Sequence, residues 1–416
     1  MSFQLSEDRI RAITGRVSRD YAALDQREPT PAFSREEYAD RLSRLSAAMR
    51  KAGITTAVLS SPEAICWLHG FESRWFRAQS PEKWYPLQMT VVRTDTEEMV
   101  HFDVYHHRYL LSLGSVVSEV SLSDSDGDER LAEIAGELSR RGWLNGVIGF
   151  EKGSHVPHPA VSELVIAAFT AKGAKASDIT QLVRNARRIK SPAELEAIER
   201  AAEICDAGLL AMQEEVRVGM TERQAWGALV RGMAEAGGGP AALHESVVVG
   251  PIELGHAYAS ERVLARGDVL CADPSGVYKR YHANVERWYV VGEEPSDELK
   301  DLAAIEAQAF DILCENAAEG VAVNTVTGLI QQHFEDCGVW GLHNWNGGYE
   351  MGLSFPPDWV GEWTFTVGED SPDVFEAGLV TNYESIVLYP MIDTVVFETG
   401  GARRLSKLPL DVERIG

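Results

Sequence analysis

The chain has 416 residues, which is too long for one ordinary hydrophobic core, so we expect two domains. Its 39 Lys and Arg residues stand against 63 Asp and Glu residues, which gives a formal net charge of -24. So acidic a surface argues against nucleic acid or an anionic membrane as a partner.

The positions of the cysteines and the lengths of the apolar runs argue against further classes of protein. The five cysteines are scattered and form no CxxC pair, which argues against a disulfide framework and against a cysteine zinc site. No apolar run approaches the ~20 residues that cross a bilayer, and the first residues lack the apolar core of a signal peptide. We therefore expect a cytoplasmic protein.

The first half of the chain alternates between helix and strand patterns. Residues 1–33 are polar and are interpreted as an N-terminal arm. Ser34 and Glu37 form a capping box that predicts a helix ending near Gly53. Short apolar strands and amphipathic helices then alternate, which predicts an α/β domain over residues 34–183.

The second half begins with a long amphipathic helix. Ser191, Pro192 and Glu194 form its predicted start, because a Ser cap, a Pro at the first helical position and a Glu two residues later suit a helix N-terminus. Further helices are predicted at about 221–236, 297–318 and 323–336, beside strands that should pair mostly antiparallel. Residues 184–416 are therefore predicted to form an α+β domain.

Residues 255–288 concentrate polar groups within two strand-like runs. Residues two apart on a strand share a face, so His282, Asn284 and Glu286 are predicted to line one surface. Acid, amide and imidazole groups side by side are typical of a functional site. A solvated sheet face is the alternative interpretation.

Four stretches together resemble the creatinase/aminopeptidase P family, whose catalytic domain has the pita-bread fold. They are RRIKSPAELEAI, GHAYASERVLARGDVLCADPSGVYKRYHANVERW, GGYEMGLSFPPDW, and AGLVTNYES with MIDTVVFETGG. The resemblance implies an α/β N-terminal domain followed by an α+β pita-bread catalytic domain. Metallopeptidase members of the family bind two divalent metals through five ligands.

Only two of those five ligands are retained in this sequence. Asp273 and Glu384 match, whereas Asn284, Tyr349 and Ile392 occupy the other three positions. Two carboxylates leave most coordination positions of a dinuclear site unfilled, so we expect no metal and no other cofactor.

Metal-free members of the family, creatinase and ectoine hydrolase among them, supply a different set of site residues. The resemblance implies that His256, Glu286 and Glu384 are catalytic. Asp273 stands where creatinase has an amide, and Tyr349 stands where creatinase has a histidine. The segment FPPDW at 355–359 is more similar to ectoine hydrolase.

These groups suggest hydrolysis of a C–N bond of amidine, guanidine or cyclic amide type. His256 would take a proton from water and return it to the leaving nitrogen, while Glu286 and Glu384 hold the substrate. Asp273 and Tyr349 are predicted to contact the substrate as well. The alternatives are an Xaa-Pro peptidase with a degenerate metal site and a non-catalytic binding protein on the same scaffold.

An aromatic stretch in the first domain, residues 67–86, contains two arginines. The resemblance implies a homodimer in which this region reaches the partner's active site. Arg74 or Arg77 would then bind a substrate carboxylate, and aromatic rings such as Trp75 would enclose a cationic group. A small zwitterion such as creatine or ectoine is the predicted substrate. A hydrophobic interdomain or dimer patch is the alternative interpretation of this stretch.

Overall fold

The computed structural model describes residues 4–72, 76, 87–343, 345–360 and 362–416. The chain divides into two compact units, residues 1–186 and residues 187–416. None of the helices formed by the described residues combines the length and the apolar character that a membrane span requires.

Unit 1 contains a mixed sheet and surrounding helices. Its helices are α1 (Glu7–Asp25), α2 (Arg35–Lys51), α3 (Pro62–His69), α4 (Arg108–Gly114), α5 (Gly127–Arg140), α6 (Pro159–Thr170) and α7 (Thr180–Ala186), with a 3-10 turn at Tyr105–His107. Its strands are β1 (Thr56–Leu59), β2 (Met89–Arg93), β3 (Glu98–Val104), β4 (Val120–Ser123), β5 (Val147–Phe150) and β6 (Lys175–Asp178).

The sheet of unit 1 has the order β4-β3-β2-β1-β5-β6. The β1–β2 and β2–β3 pairs are antiparallel and the other three pairs are parallel. Val58, Val91 and Phe102 of this sheet are buried against Ile134 and Phe169 of the helices. The predicted α/β character of this half is confirmed, and the segment interpreted as an arm contains a helix, α1, without a buried residue.

Unit 2 contains the two longest helices, α8 and α10, and eleven strands among the described residues. Its helices are α8 (Pro192–Glu215), α9 (Glu222–Glu235), α10 (Asp297–Asn316) and α11 (Val323–Asp336), with a 3-10 turn at Ile252–Leu254. Its strands are β7 (Ser246–Val249), β8 (Val269–Asp273), β9 (Ser275–Tyr278), β10 (Tyr281–Asn284), β11 (Arg287–Val291), β12 (Trp345–Tyr349), β13 (Thr366–Val367), β14 (Val380–Ile386), β15 (Pro390–Glu398), β16 (Gly401–Arg404) and β17 (Glu413–Ile415).

The strands of unit 2 pair almost entirely antiparallel, as expected for the α+β half. They form a four-stranded sheet β17-β11-β8-β7, a five-stranded sheet β13-β12-β14-β15-β16 and the hairpin β9-β10. The β11–β17 pair is parallel. A bridge between Glu286 and Ile392 links the two larger sheets, so the end of one lies directly against the other.

Local sequence explains the helix that opens unit 2. The hydroxyl of Ser191 accepts a hydrogen bond from the Glu194 N–H, and the Glu194 carboxylate accepts one from the Ser191 N–H. Ile198, Cys205 and Leu209 on the inner face of α8 are fully buried. This helix packs over β9 and β10, two strands that belong to the polar stretch 255–288.

Candidate active site

A cavity of about 430 Å³ opens in unit 2, where the four-stranded and five-stranded sheets meet. Its walls combine carboxylic acids with amide, imidazole, phenol and apolar side chains. The lining residues are Leu243, His244, Glu245, Ser246, Ile252, Gly255, His256, Ala257, Tyr258, Asp273, Asn284, Glu286, Tyr349, Asp358, Trp359, Val360, Glu384, Ile386 and Ile392. All five residues of this half that were predicted to act on or contact the substrate are therefore brought together, with Asn284 beside them.

Two buried amides connect the carboxyl groups of the cavity. Asn284 Nδ2 donates to Asp273 Oδ1 at 2.5 Å, and Asn382 Nδ2 donates to Glu384 Oε1 at 2.7 Å. Asn382 Nδ2 also lies 3.3 Å from Asn284 Oδ1. Thr394 fixes the backbone of Asn284, because the Thr394 hydroxyl accepts a hydrogen bond from the Asn284 N–H and donates one to the Asn284 carbonyl. The amides thus hold Asp273 and Glu384 in fixed orientations.

Glu286 differs from its neighbours because no side chain satisfies it. It is 4% exposed, and among the described residues its carboxyl group has no hydrogen-bond partner. The adjacent Arg287 is directed away, since its guanidinium binds Asp393 at 3.0 Å and the carbonyl of Ile392 at 2.7 Å. The side chain lines the cavity, so this carboxyl group is positioned to meet a ligand.

The protonation behaviour of the three carboxyl groups follows from their burial. Burial raises the pKa of Asp273 to about 7, against the hydrogen bond from Asn284, and the neighbouring Glu384 and Glu245 carboxylates raise it further. Burial likewise raises the pKa of Glu384 to about 7, opposed by hydrogen bonds from Asn382 and Tyr349. The pKa of Glu286 is raised by burial and then by Asp273 and Glu384. Burial and the mutual repulsion of the acids thus outweigh the neighbouring Arg287, which lowers the pKa of Glu286.

The mouth of the cavity carries the predicted catalytic histidine. His256 follows the 3-10 turn Ile252–Leu254 and is exposed. The turn is held to the β14–β15 hairpin by the Ile252 N–H, which donates to the Leu388 carbonyl at 3.2 Å. His244 and Tyr258 lie on the same rim, with ring centroids 6.1 Å apart. An imidazole at this position can exchange protons with solvent.

Aromatic rings form one wall of the site. The ring of Tyr349 lies 5.2 Å from that of Trp363 and 6.3 Å from that of Trp359, centroid to centroid. The Tyr349 hydroxyl donates a hydrogen bond to Glu384, and burial raises the pKa of Tyr349 well above the ordinary value. This wall can pack against a flat cationic group.

One expectation about the central stretch was wrong. His282 does not share the cavity surface with Asn284 and Glu286, and it is fully buried. Its Nε2 accepts from the Ala242 N–H at 3.1 Å, its Nδ1 hydrogen-bonds with the Arg280 carbonyl, and burial lowers its pKa to about 3. His282 and Asn284 both lie on β10, but backbone groups of Ala242 and Arg280 enclose the imidazole, so this strand reaches the cavity at Asn284 and not at His282.

The arginine and tryptophan predictions in the first half stay predictions. Arg74, Trp75 and Arg77 lie outside the described residues.

Two residues of the site were missed by the sequence reasoning. Asn382 lies two residues before Glu384 on β14, so the strand periodicity that grouped other residues could have identified it. Glu245 lies just before β7, and only the pairing of Ser246 with Asp273 brings it to the cavity. No local pattern in the sequence carries that information.

Comparison with known families identifies both halves. Residues 196–404, about half of the chain, match metallopeptidase family M24, and residues 41–189 match the creatinase/prolidase N-terminal domain. The chain therefore belongs to the M24 family, and the predicted creatinase/aminopeptidase P relationship is confirmed.

Individual relatives include enzymes with different substrates. The chain is 26% identical over 272 residues to an Xaa-Pro dipeptidase of Pyrococcus horikoshii, covering 64% of this chain and 74% of the relative. It is 24% identical to an ectoine hydrolase of Halomonas elongata, covering 84% and 89%. It is also 24% identical to a creatinase of a Bacillus species, covering 92% and 93%.

The fold is shared with solved structures. An X-Pro aminopeptidase from Thermotoga maritima superposes with a TM-score of 0.75 at 19% identity, covering 90% of this chain and 99% of the other. The predicted pita-bread fold is confirmed.

The family name implies metal ions, and the residues present do not fit them. Ile392 places an apolar side chain where the resemblance expects a glutamate ligand, and Asn284 turns an N–H donor towards Asp273. Within the described ranges, no group of three or more His, Cys, Asp and Glu residues could hold a metal ion. Oxygen-rich sites for hard or borderline cations need more ligands than the two retained carboxylates.

Proposed function

We propose that this M24 family hydrolase acts without a metal on a C–N bond of amidine, guanidine or cyclic amide type in a small substrate such as creatine or ectoine. The observation that carries the proposal is Glu286, a buried carboxyl group without a partner, in a cavity that also holds Asp273 and Glu384. No Lys or Arg is found among the described residues that line this cavity. The site therefore suits a ligand that brings its own positive charge or N–H donors.

The three carboxyl groups are suited to a planar nitrogen group. A guanidinium or amidinium offers parallel N–H donors that match a carboxylate in bidentate fashion. Such a ligand would satisfy Glu286 and offset the mutual repulsion of the three acids. The aromatic wall at Tyr349 would cover one face of the group.

His256 would move the proton in this reaction. A water molecule at the cavity mouth gives a proton to the imidazole as its oxygen bonds to the electrophilic carbon. The C–N bond then breaks, and the imidazolium returns the proton to the departing nitrogen. Glu286 and Glu384 stabilise the positive charge on the substrate and on the protonated histidine.

The Xaa-Pro dipeptidase relatives make peptide cleavage the second candidate. Three of the five metal-ligand positions are filled by Asn284, Tyr349 and Ile392, and this donor set argues against it. A binding protein without catalysis is the third candidate. Retention of His256 together with Glu286 and Glu384 favours catalysis.

A substrate panel tests these candidates directly. Guanidino acids, ectoines and Xaa-Pro peptides would be incubated with the purified protein while released amine, urea or amino acid is followed. We expect turnover of a guanidino or ectoine compound and a loss of roughly 10²- to 10⁴-fold in His256→Ala, the range of general acid–base catalysis. His106→Ala, an exposed histidine of unit 1, is the matched control and should keep full activity. Undiminished activity in His256→Ala would remove that residue from the mechanism.

A further inference from the structure

We propose that Glu245 forms a second cation-binding subsite in the cavity. Within the proposed substrate class, this subsite favours compounds that carry an ammonium group in addition to the reacting amidine or guanidine group over creatine and ectoine, which carry a carboxylate instead. The inference rests on the proposed function, because it extends the substrate class of the same site. It concerns a residue that the proposed reaction does not use.

Glu245 is built into the wall of the cavity and held there. It is 9% exposed, and its Oε2 accepts a hydrogen bond from the Trp226 indole N–H at 3.2 Å. Among the described residues, Oε1 has no partner, although the side chain lines the cavity. A side chain nine-tenths buried, with one oxygen fixed and the other free towards a cavity, is arranged to receive a donor.

Charge explains why that donor should be a cation. The described lining contains five carboxylic acids, namely Glu245, Asp273, Glu286, Asp358 and Glu384, and no Lys or Arg. One planar cation held by the acids of the proposed reaction, Asp273, Glu286 and Glu384, leaves Glu245 and Asp358 without a positive partner. A further anionic group of the substrate would be repelled here, whereas an ammonium would be attracted and could donate to Oε1.

The cavity has room for both groups. A volume of about 430 Å³ falls within the range of sites that take small organic molecules. Glu245 and Asp273 enter it from neighbouring strands, since Ser246 pairs with Asp273. A substrate with two nitrogen groups on a short chain could therefore contact both acids.

Calorimetry with two inhibitor-like probes tests the subsite. The probes are butylguanidine and 4-aminobutylguanidine, which differ by one ammonium group. We expect the wild-type protein to bind the amino compound roughly ten- to a hundredfold more tightly, the gain from a hydrogen bond to a charged group. Glu245→Gln should abolish this difference, because the affinity for 4-aminobutylguanidine should fall much more than the affinity for butylguanidine, which reports only the loss of one charge from the cavity. Glutamine keeps an oxygen acceptor for Trp226, so the wall should stay folded.

Glu253→Gln is the matched control, because Glu253 is exposed on the 3-10 turn near the mouth and does not line the cavity. It removes the same charge and should keep the preference for the amino compound. Equal binding of the two probes by the wild type overturns the subsite while leaving the proposed function standing. A preference lost equally in Glu253→Gln also overturns it, since general charge would then be the cause. Binding of neither probe contradicts the proposed function and this inference together.

Discussion

Each unit of the molecule buries a group of ionisable side chains, and the two groups are balanced in different ways. In unit 1, Asp103 accepts a hydrogen bond from Gln88 and lies 3.3 Å from His101 Nε2 and 3.0 Å from His107 Nδ1. Burial alone would raise the pKa of Asp103, but hydrogen bonds from the two histidines lower it. This histidine cluster supplies its own partners.

The acids of the cavity in unit 2 have no such imidazole partners among the described residues. Asp273 and Glu384 receive hydrogen bonds from neutral amides, and Glu286 receives none from the described residues. The pKa of each of these carboxyl groups is raised, opposite to that of Asp103. Burial of an acid therefore does not mark a functional site by itself. The absence of a compensating partner separates the cavity from the structural cluster.

The sharpest way to test this difference is to neutralise Glu286. Glu286→Gln should lower turnover by roughly 10²- to 10⁴-fold, because the substrate loses a charged partner near the reacting carbon. The unfolding midpoint in urea should stay level or rise, since a buried carboxyl group without a partner is removed. A variant that unfolds at lower urea while keeping its turnover would assign Glu286 a structural role.

The corresponding change in unit 1 should have the reverse effect. Asp103→Asn removes a charge on which His101 and His107 depend, and we expect unit 1 to lose roughly 1–3 kcal/mol of unfolding free energy. Affinity of the cavity for butylguanidine should not change. A loss of binding without a loss of stability would show that the histidine cluster is not merely structural.

Ligand binding should depend on pH through the cavity acids. The pKa values of Asp273 and Glu384 are raised to about 7, so protonation below that pH removes the negative charge that attracts a cation. Affinity for a guanidinium, which stays charged, should fall as the pH is lowered, by up to roughly tenfold per pH unit for each coupled proton. Calorimetry at a series of pH values measures this slope. Affinity independent of pH between about 5 and 8 would contradict the raised pKa values.

Stability should respond to pH in opposite directions in the two units. In unit 2 the raised pKa values of Asp273, Glu286 and Glu384 make the folded chain bind more protons than the unfolded chain, so their contribution is full below about pH 4 and is lost as the pH rises through about 7. The lowered pKa of His282 acts in the opposite direction, but one histidine is outweighed by three acids. Burial, with a further effect of His101, lowers the pKa of His69, so its contribution is present above about pH 6.5 and is lost on acidification.

Hydrogen exchange, corrected for intrinsic rates and followed peptide by peptide, measures the pH dependence of the stability of each unit separately. His69→Gln should flatten the response of unit 1 and leave that of unit 2 unchanged. Parallel pH responses of both units in the wild type would contradict the contrast drawn between the two clusters.

Local sequence predicts much of this structure, because helix caps and short periodic runs are local. Ser34 accepts a hydrogen bond from the Glu37 N–H, and Ser191 with Glu194 forms the expected capping box. The prediction for His282 was wrong because the backbone at Ala242, 40 residues earlier in the chain, covers its ring, and such a distant contact leaves no local pattern. Glu245 could not be identified for the same reason, since the register of β7 against β8 brings it to the cavity.

The central claim is that the cavity acids act on a C–N bond without a metal. Its most direct test is turnover of the best substrate of the panel by protein treated with a strong chelator, with metal content measured on the same sample. The account predicts full activity in protein that holds far less than one metal per chain, and no gain when zinc or manganese is added. Activity that disappears on chelation and returns with stoichiometric metal, together with cleavage of an Xaa-Pro peptide, would contradict it.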